Sequence, residues 1–160
     1  MKQNNEKTNV MRILDQHKVN YQVHTYNDEI ALSGVEVATL LNQDPNQVFK
    51  TLVTAGKSNQ YYVFMIPANT ELDLKKAARS VNEKNIVMIK SKELLPLTGY
   101  IHGGCSIIGM KKQFKTIVHE TAKNYDTVIF SAGKIGYQIE ININDVSKVI
   151  QFVFADVIND

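Results

Sequence analysis

The chain has 160 residues, 44% of them hydrophobic, and its 18 basic residues nearly balance 16 acidic ones. This length and hydrophobic content predict a single domain over residues 1–160 with its own core, in which residues 1–7 form a flexible tail. A net charge of +2 is compatible with contact with the end of an RNA, but it does not argue for a protein that wraps a long nucleic acid.

One cysteine excludes an intramolecular disulfide, and no apolar run approaches the ~20 residues that span a bilayer. We therefore expect a cytoplasmic protein without membrane contact. The histidines and carboxylates lack metal-ligand spacing, and no glycine pattern matches a phosphate loop or a dinucleotide site. Neither a metal nor a cofactor is expected.

The first half of the chain alternates between helical and extended patterns. Cap residues and apolar spacing predict helices at residues 10–18, from the capping box Ser33-x-x-Glu36, at 44–49 after Asp44-Pro45, and from Asp73 to Val81. Strands rich in β-branched and aromatic residues are predicted at 21–26, 50–54 and 61–66.

The second half adds more strands than helices. Predicted strands cover residues 85–89, 116–119, 127–131, 137–141 and 151–155. Ser91 begins a short helix that Pro96 should end, and Asn142 caps a last amphipathic helix carrying Val146, Val149 and Ile150. The mixture of hairpin and crossover connections predicts an α+β domain around a mixed, curled sheet.

Lys50 is the most informative single residue, because it begins a strand whose next residues, Leu52 and Val53, are apolar. Its ammonium group either reaches solvent along the strand or donates hydrogen bonds to a phosphate or carbonyl oxygen. Thr51 has the same two interpretations, an ordinary strand residue or a hydroxyl donor beside the lysine.

The segment 103–109 contains too much glycine for a regular strand or helix. It predicts a tight turn with positive φ, and the main-chain N–H groups of such turns, here at Gly103 and Gly104, can stabilise a developing oxyanion. Cys105 lies in this turn among apolar and glycine neighbours, with no adjacent cation to lower its pKa, which favours a packed thiol over a nucleophile.

Two further hydroxyls are candidates for a pocket. Tyr26 shares a strand face with His24, and it either lines a pocket or forms a cross-strand pair. Ser131, at the end of a strand, either faces a ligand or caps the turn that follows. One lysine, several hydroxyls and glycine turns suit holding an activated acyl group better than cleaving a stable bond.

Several of these segments, in this order, resemble the YbaK/EbsC family of trans-editing domains, which is similar to the editing insertion of bacterial prolyl-tRNA synthetases. The resemblance runs from about Thr8 to Asp156. It rests on Val48-Phe-Lys-Thr-Leu52, Leu72-Asp-Leu-Lys-Lys-Ala77, Leu97-Thr-Gly-Tyr100 with Gly103-Gly104, Lys111-Lys112, and Ser131-x-Gly-Lys-x-Gly136.

The resemblance implies a barrel-like curled sheet surrounded by helices and the hydrolytic removal of a wrong amino acid from the 3′ end of a tRNA. Lys50 matches the residue that positions the ester or terminal adenosine, and the Gly103-Gly104 turn matches a pocket position. Tyr26, Thr51, Ser106 and Ser131 are the implied substrate-binding residues. The nearest subgroup acts on Cys-tRNA(Pro) and Cys-tRNA(Cys), where the substrate thiol attacks its own ester and leaves as a thiolactone.

The sequence departs from the family at Ile107 and Gln138, and four questions stay open. Many relatives have proline where Ile107 stands, and some have an acidic residue where Gln138 stands, so no acid or base role is carried over to Gln138. Specificity for alanine on tRNA(Pro), a non-catalytic module that binds tRNA or a synthetase, and a requirement for prolyl-tRNA synthetase remain alternatives. The oligomeric state is also open.

Overall fold

The computed structural model of the chain describes residues 6–27 and 32–160. Within these ranges it contains five α-helices, a 3₁₀ helix and eight strands. The helices are α1 (Asn9–Gln16), α2 (Gly34–Leu40), α3 (Leu74–Ser80), α4 (Ser91–Thr98) and α5 (Ile143–Val146), with the 3₁₀ helix at Glu120–Asn124. The strands are β1 (Gln22–Thr25), β2 (Phe49–Gly56), β3 (Tyr61–Pro67), β4 (Ile86–Met88), β5 (Lys115–His119), β6 (Val128–Ser131), β7 (Tyr137–Ile141) and β8 (Val153–Ala155).

The strands form two sheets, and no closed barrel is present among the described residues. One sheet has the order β4-β2-β3-β5-β8 and mixes antiparallel pairs with the parallel pairs β3–β5 and β5–β8. The other is antiparallel with the order β1-β7-β6. The predicted α+β class and mixed strand directions are therefore confirmed, whereas a single sheet is not what forms.

The main core fills the space that the second sheet, one face of β2–β3 and α1 enclose. Val10, Met11 and Leu14 of α1 are buried there at helical spacing, together with Phe130 of β6 and Ile139 of β7. The opposite face of β2–β3 packs against α3 in a second cluster. A parallel bridge between Val48 and Ile129 joins the two sheets.

Local signals predicted most element starts. The Thr8 hydroxyl accepts the Met11 N–H at 3.3 Å, and the Asp73 side chain accepts two N–H groups of α3. Ser33 and Glu36 form the reciprocal capping box of α2. The strand predictions agree with β1 to β8 to within two residues at either end.

The predicted helix at 44–49 is wrong. Its first residues form one turn, in which Gln47 N–H donates to Asp44 O at 2.9 Å, and the chain is extended by Val48. Long-range pairing holds residues 47 and 48 extended instead, because Gln47 O accepts the Ile129 N–H and Val48 O accepts the Ala68 N–H.

Two other helix ends differ from prediction. Pro96 lies inside α4, which continues until Gly99 in the left-handed region (φ 84°), where Gly99 N–H donates to Leu95 O. The proline removes one hydrogen bond without ending the helix. The last helix is one turn, α5, and Val149 N–H donates to Val146 O, so the amphipathic pattern continues in a tighter turn.

Part of the predicted N-terminal tail, residues 1–5, lies outside the described residues. Of the remaining two, Glu6 accepts a hydrogen bond from the Lys134 ammonium at 2.8 Å, and Lys7 pairs with Asp15. No helix in the described part of the chain is both long and apolar enough to cross a membrane.

Candidate functional site

A cavity of about 250 Å³ lies where the two sheets meet. It is bordered by the start of β2, the facing strands β6 and β7, the first turn of α2, α4 and the loop that follows α4. The lining residues are Tyr26, Leu32, Ser33, Gly34, Val37, Val48, Phe49, Lys50, Thr51, Leu52, Ala68, Leu94, His102, Gly103, Cys105, Phe130, Ser131, Tyr137 and Gln138.

The cavity exists because β2 is only partly paired along one edge. On that edge β4 pairs with Thr54 to Gly56 and no further, and the contact with β6 is an isolated bridge at Val48. Val53 O accepts the Ile89 N–H at this edge. The main-chain N–H and C=O groups of a strand point to alternate edges from one residue to the next. Thr51, two residues before Val53, therefore directs its N–H and C=O toward the edge that β4 occupies further along β2.

Lys50 is half-buried at this edge, and its ammonium group makes no hydrogen bond or ion pair with any residue that the structure describes. Burial lowers the pKa of Lys50 below its usual value, and the negative charge of Glu71 partly offsets that effect. A half-buried cation with unused donors is suited to binding an electron-rich oxygen of a ligand.

The Thr51 hydroxyl is buried and has no hydrogen-bond partner within the described ranges. Thr51 pairs with Met65 of the main core and Lys50 with Ile66 of the second cluster, so their side chains leave opposite faces of β2. Both border the cavity, which lies at the strand edge. An unpaired buried hydroxyl is costly unless something else binds it.

The two main-chain N–H groups of the glycine turn are placed differently in the described structure. Gly104 N–H donates to Ile101 O at 3.0 Å, which closes the turn, and Gly104 is buried outside the lining. Gly103 (φ 87°) lines the cavity, and no described residue accepts its N–H. The expected role of Gly104 as a substrate donor stays a prediction, and this geometry favours Gly103.

The three predicted hydroxyl residues outside β2 are placed differently. Tyr26 and Ser131 line the cavity, although the Ser131 hydroxyl also accepts the Gly133 N–H at 3.1 Å. Ser106 is fully buried outside the lining, and its hydroxyl accepts the Ile108 N–H at 3.3 Å. A direct contact between Ser106 and substrate therefore stays a prediction, and in this structure Ser106 orders the glycine turn.

Tyr100 explains why two motif glycines are needed. Its hydroxyl donates to Ile108 O at 2.5 Å, and burial raises its pKa to about 12. A Cβ at Gly109 would lie 2.6 Å from the Tyr100 hydroxyl, and one at Gly133 would lie 3.1 Å from its ring. These glycines bring two loops together over one aromatic ring, so part of the motif is structural.

Cys105 lines the cavity, but it is a poor nucleophile. Burial raises the pKa of its thiol to about 12, and a hydrogen bond involving Thr98 offsets this only in part. The reactive thiolate is therefore scarce at neutral pH. The interpretation of Cys105 as a packed thiol agrees with this environment.

Sequence reasoning missed several lining residues. His102 lies within the glycine motif, but nothing in its spacing distinguished it. Gln138, on β7, is buried, and its carbonyl oxygen accepts a hydrogen bond from the Gln43 amide at 2.9 Å. Leu94 of α4 and the first turn of α2 complete the wall; their contribution follows from the way the sheets and helices pack, which no local pattern shows.

A polar network stabilises the junction beside the cavity. His24 Nε2 lies 2.7 Å from one Glu140 oxygen, and Thr127 donates to the other at 2.5 Å. The Gln47 amide donates to Thr127 O at 2.8 Å and to its hydroxyl at 3.1 Å. Burial raises the pKa of Glu140, but the bonds from Thr127 and His24 outweigh it and the net shift is downward. The network attaches the residue before Val48 to β6 and β7.

Within residues 6–27 and 32–160 no group of three or more His, Cys, Asp or Glu side chains is arranged to hold a metal ion.

Comparison with known proteins shows which family the chain resembles. Residues 28–149 match the sequence profile described as the aminoacyl-tRNA editing domain. The chain is 44% identical over 157 residues to EbsC of Enterococcus faecalis, a proposed Cys-tRNA(Pro)/Cys-tRNA(Cys) deacylase, covering 98% of this chain and 96% of EbsC.

Two crystal structures share the fold. One, of a proposed trans-editing enzyme for prolyl-tRNA synthetase, has a TM-score of 0.81 and 20% identity over 97% of this chain and 100% of its own. The other, of a hypothetical protein, has a TM-score of 0.84 and 18% identity over 94% of this chain and 99% of its own. The chain belongs to the aminoacyl-tRNA editing domain family.

Proposed function

We propose that this protein is an aminoacyl-tRNA deacylase that removes cysteine from mischarged tRNA(Pro), and from tRNA(Cys) as a second substrate. Membership of the editing family supports the reaction class, and the 44% identity to EbsC supports cysteine as the amino acid. The observation that carries the proposal is Lys50, a half-buried cation that borders the cavity and has no hydrogen-bond or ion-pair partner in the described chain.

In the proposed mechanism the substrate supplies its own nucleophile. The cysteine sulfur attacks the ester carbonyl, so that a carbon–sulfur bond forms and the bond between carbonyl carbon and ribose oxygen breaks. The thiol proton ends on the departing ribose oxygen, and the amino acid leaves as a cyclic thiolactone. An aminoacyl ester is already activated, so orientation and charge stabilisation suffice.

The lining residues have distinct parts in this scheme. The Lys50 ammonium and the Gly103 N–H stabilise the negative charge that develops on the carbonyl oxygen. The Thr51 hydroxyl, unpaired in the described residues, binds the ribose or the ester. Tyr26 and Ser131 shape the cavity around the amino acid.

The same scheme accounts for selectivity. Alanine has no side-chain nucleophile, and the hydroxyl of serine is far less nucleophilic than a thiol, so neither ester is cleaved by this route. Proline must be excluded by shape, where one or two methylenes discriminate by ~1–3 kcal/mol.

Four further expectations accompany the proposal. We propose that residues 1–160 act as one editing unit, that it works in the cytoplasm, and that prolyl-tRNA synthetase is a partner. We also propose that the two sheets curl around the cavity, which the bridge between Val48 and Ile129 supports.

The test is deacylation of a panel of charged tRNAs by the purified protein, with products separated by mass. Cys-tRNA(Pro) should be deacylated fastest, with a thiolactone as the first product, while Ala-tRNA(Pro) and Pro-tRNA(Pro) survive. If Ala-tRNA(Pro) were deacylated faster than Cys-tRNA(Pro), the protein would be specific for alanine and the cysteine assignment would be wrong. No hydrolysis of any ester, with and without prolyl-tRNA synthetase, would instead favour a binding module.

A further inference from the structure

Positive charge is concentrated in one part of the chain. Residues 84–119 carry six lysines and one acidic residue, Glu93, whereas the rest of the chain has twelve basic residues against fifteen acidic ones. The near-neutral total therefore hides a basic segment within an otherwise acidic protein. A patch of this kind attracts polyanions even when the net charge is small.

This basic segment borders the cavity. Leu94 of α4 and His102 and Gly103 of the next loop line it. Lys90 and Lys92 lie at the start of α4, and Lys111 and Lys112 lie beside its end, where Lys111 N–H donates to Thr98 O at 3.0 Å. We call these four residues the lysine rim. An eight-residue helix is about 12 Å long, so the rim is long enough to span several phosphates of a duplex.

The lysine rim is exposed and not neutralised. All four side chains are exposed, and none of them has a carboxylate partner among the described residues. The one acidic side chain of the segment, Glu93, accepts the Lys90 main-chain N–H at 2.7 Å instead. Lys76, Lys134 and Lys148, outside this segment, do pair with carboxylates. Lys112 lies 5.9 Å from the Phe114 ring centre, which orients it without removing its charge.

We propose that the lysine rim binds the sugar-phosphate backbone of the tRNA acceptor stem while the cavity receives the 3′ end. This inference rests on the proposed function. It commits to RNA rather than to an acidic protein surface because α4 and the loop after it, which carry or adjoin the rim, also line the cavity proposed to admit a nucleic-acid end. Contacts of this kind fix position without reading base sequence, so the rim should accept any tRNA acceptor stem.

The first experiment measures binding of uncharged tRNA at several salt concentrations. The rim variant carries K90Q, K92Q, K111Q and K112Q, and the control variant carries K18Q, K57Q, K123Q and K148Q, four exposed lysines elsewhere. Each lost phosphate contact lowers the slope of log affinity against log salt by about 0.9, so loss of all four contacts should lower the slope by about 3.6 and weaken binding about 10-fold or more. The control should keep the wild-type slope.

Equal slopes in the wild type and the rim variant, with both proteins folded by circular dichroism, would overturn the inference. A variant with K111Q and K112Q alone should lose about half of the slope difference. If the rim variant keeps tRNA binding but no longer binds prolyl-tRNA synthetase, the rim is a protein-docking surface and the RNA assignment is wrong.

A second substrate separates this inference from the proposed function. The rim variant should cleave cysteinyl adenosine at the wild-type rate, because that ester reaches only the cavity, while its KM for Cys-tRNA(Pro) rises about 10-fold or more. If neither the wild type nor the rim variant cleaves either ester, but the rim variant binds tRNA more weakly, the proposed function is wrong. The lysine rim would then still be an RNA-binding surface. If the rim variant is slower than the wild type by the same factor on both esters, the lysine rim does not act through tRNA binding and the inference is wrong.

Discussion

Lys50 and Thr51 are polar strand residues whose side chains have no hydrogen-bond partner among residues 6–27 and 32–160. A half-buried ammonium and a buried hydroxyl, both unpaired in the described structure, destabilise the fold relative to apolar side chains. In the proposed mechanism a bound ester at the unpaired edge of β2 satisfies both groups and so offsets that cost. The sequence indicated Lys50 by its place at the start of an apolar strand, but it could not show that the ammonium has no partner in the described part of the chain.

Cys105 gives a residue-scale prediction. Because burial raises its pKa to about 12, we expect the thiol to take no part in the proposed reaction, and Cys105→Ala should keep deacylation within about 2-fold of wild type. The smaller side chain should cost about 1 kcal/mol of stability. Initial rates and thermal unfolding measure the two effects. A loss of 100-fold or more in a folded variant would restore Cys105 as a nucleophile.

At the scale of elements, the cavity is created by the junction between β6 and the start of β2. The two strands touch at Val48 and Ile129 and then separate, and the network from His24 to Gln47 ties the approach to β2 against β6 and β7. Local sequence patterns predicted both strands but not their junction, because the partners are about 80 residues apart in sequence. The wrong helix at 44–49 has the same origin, since long-range bonds from Ile129 and Ala68 hold residues 47 and 48 extended.

Thr127 tests the network at this scale. Thr127→Val keeps the shape but removes the hydroxyl that bonds Glu140 and Gln47, so stability should fall by about 1–2 kcal/mol. Deacylation should fall about 3–10-fold, because a shift of the start of β2 moves Lys50. Thr127→Ser, which keeps the hydroxyl, should restore most of both quantities. Identical unfolding and rates in the valine variant would show that the network is incidental.

At the scale of the whole molecule, the fold class and strand order along the chain were predictable, and the division into two sheets was not. Strand identity depends on local residues, whereas the crossover from β3 to β5 and the addition of β8 depend on burial of the second core cluster. The cavity follows from that arrangement. Lys50, Thr51, Tyr26, Gly103 and Ser131 were expected together, but the contribution of α2 and α4 required the packed structure.

The C-terminal residues give a pH prediction for the whole fold. The Lys76 ammonium donates to Asp156 at 3.1 Å and to Asp160 at 2.9 Å, and its hydrogen bond lowers the pKa of Asp156 below 3.8. A carboxyl pKa that is lower in the folded state than in the unfolded state contributes stability that is fully present above about pH 4. This stability is lost as the pH falls through the pKa of Asp156 in the folded protein. Urea unfolding from pH 7 to pH 3 should therefore show a smaller acid-induced loss in Lys76→Met than in wild type. Equal losses would contradict this assignment.

The most direct test of the account is the single-turnover rate of Cys-tRNA(Pro) deacylation by Lys50→Met, with Lys57→Met as a matched exposed control. Removing a preorganised donor to a developing oxyanion costs about 100-fold or more in rate. We expect that loss in Lys50→Met, with unfolding temperature unchanged or raised, because the ammonium has no partner among the described residues. Lys57→Met should match wild type. Deacylation by folded Lys50→Met at the wild-type rate would contradict the central claim.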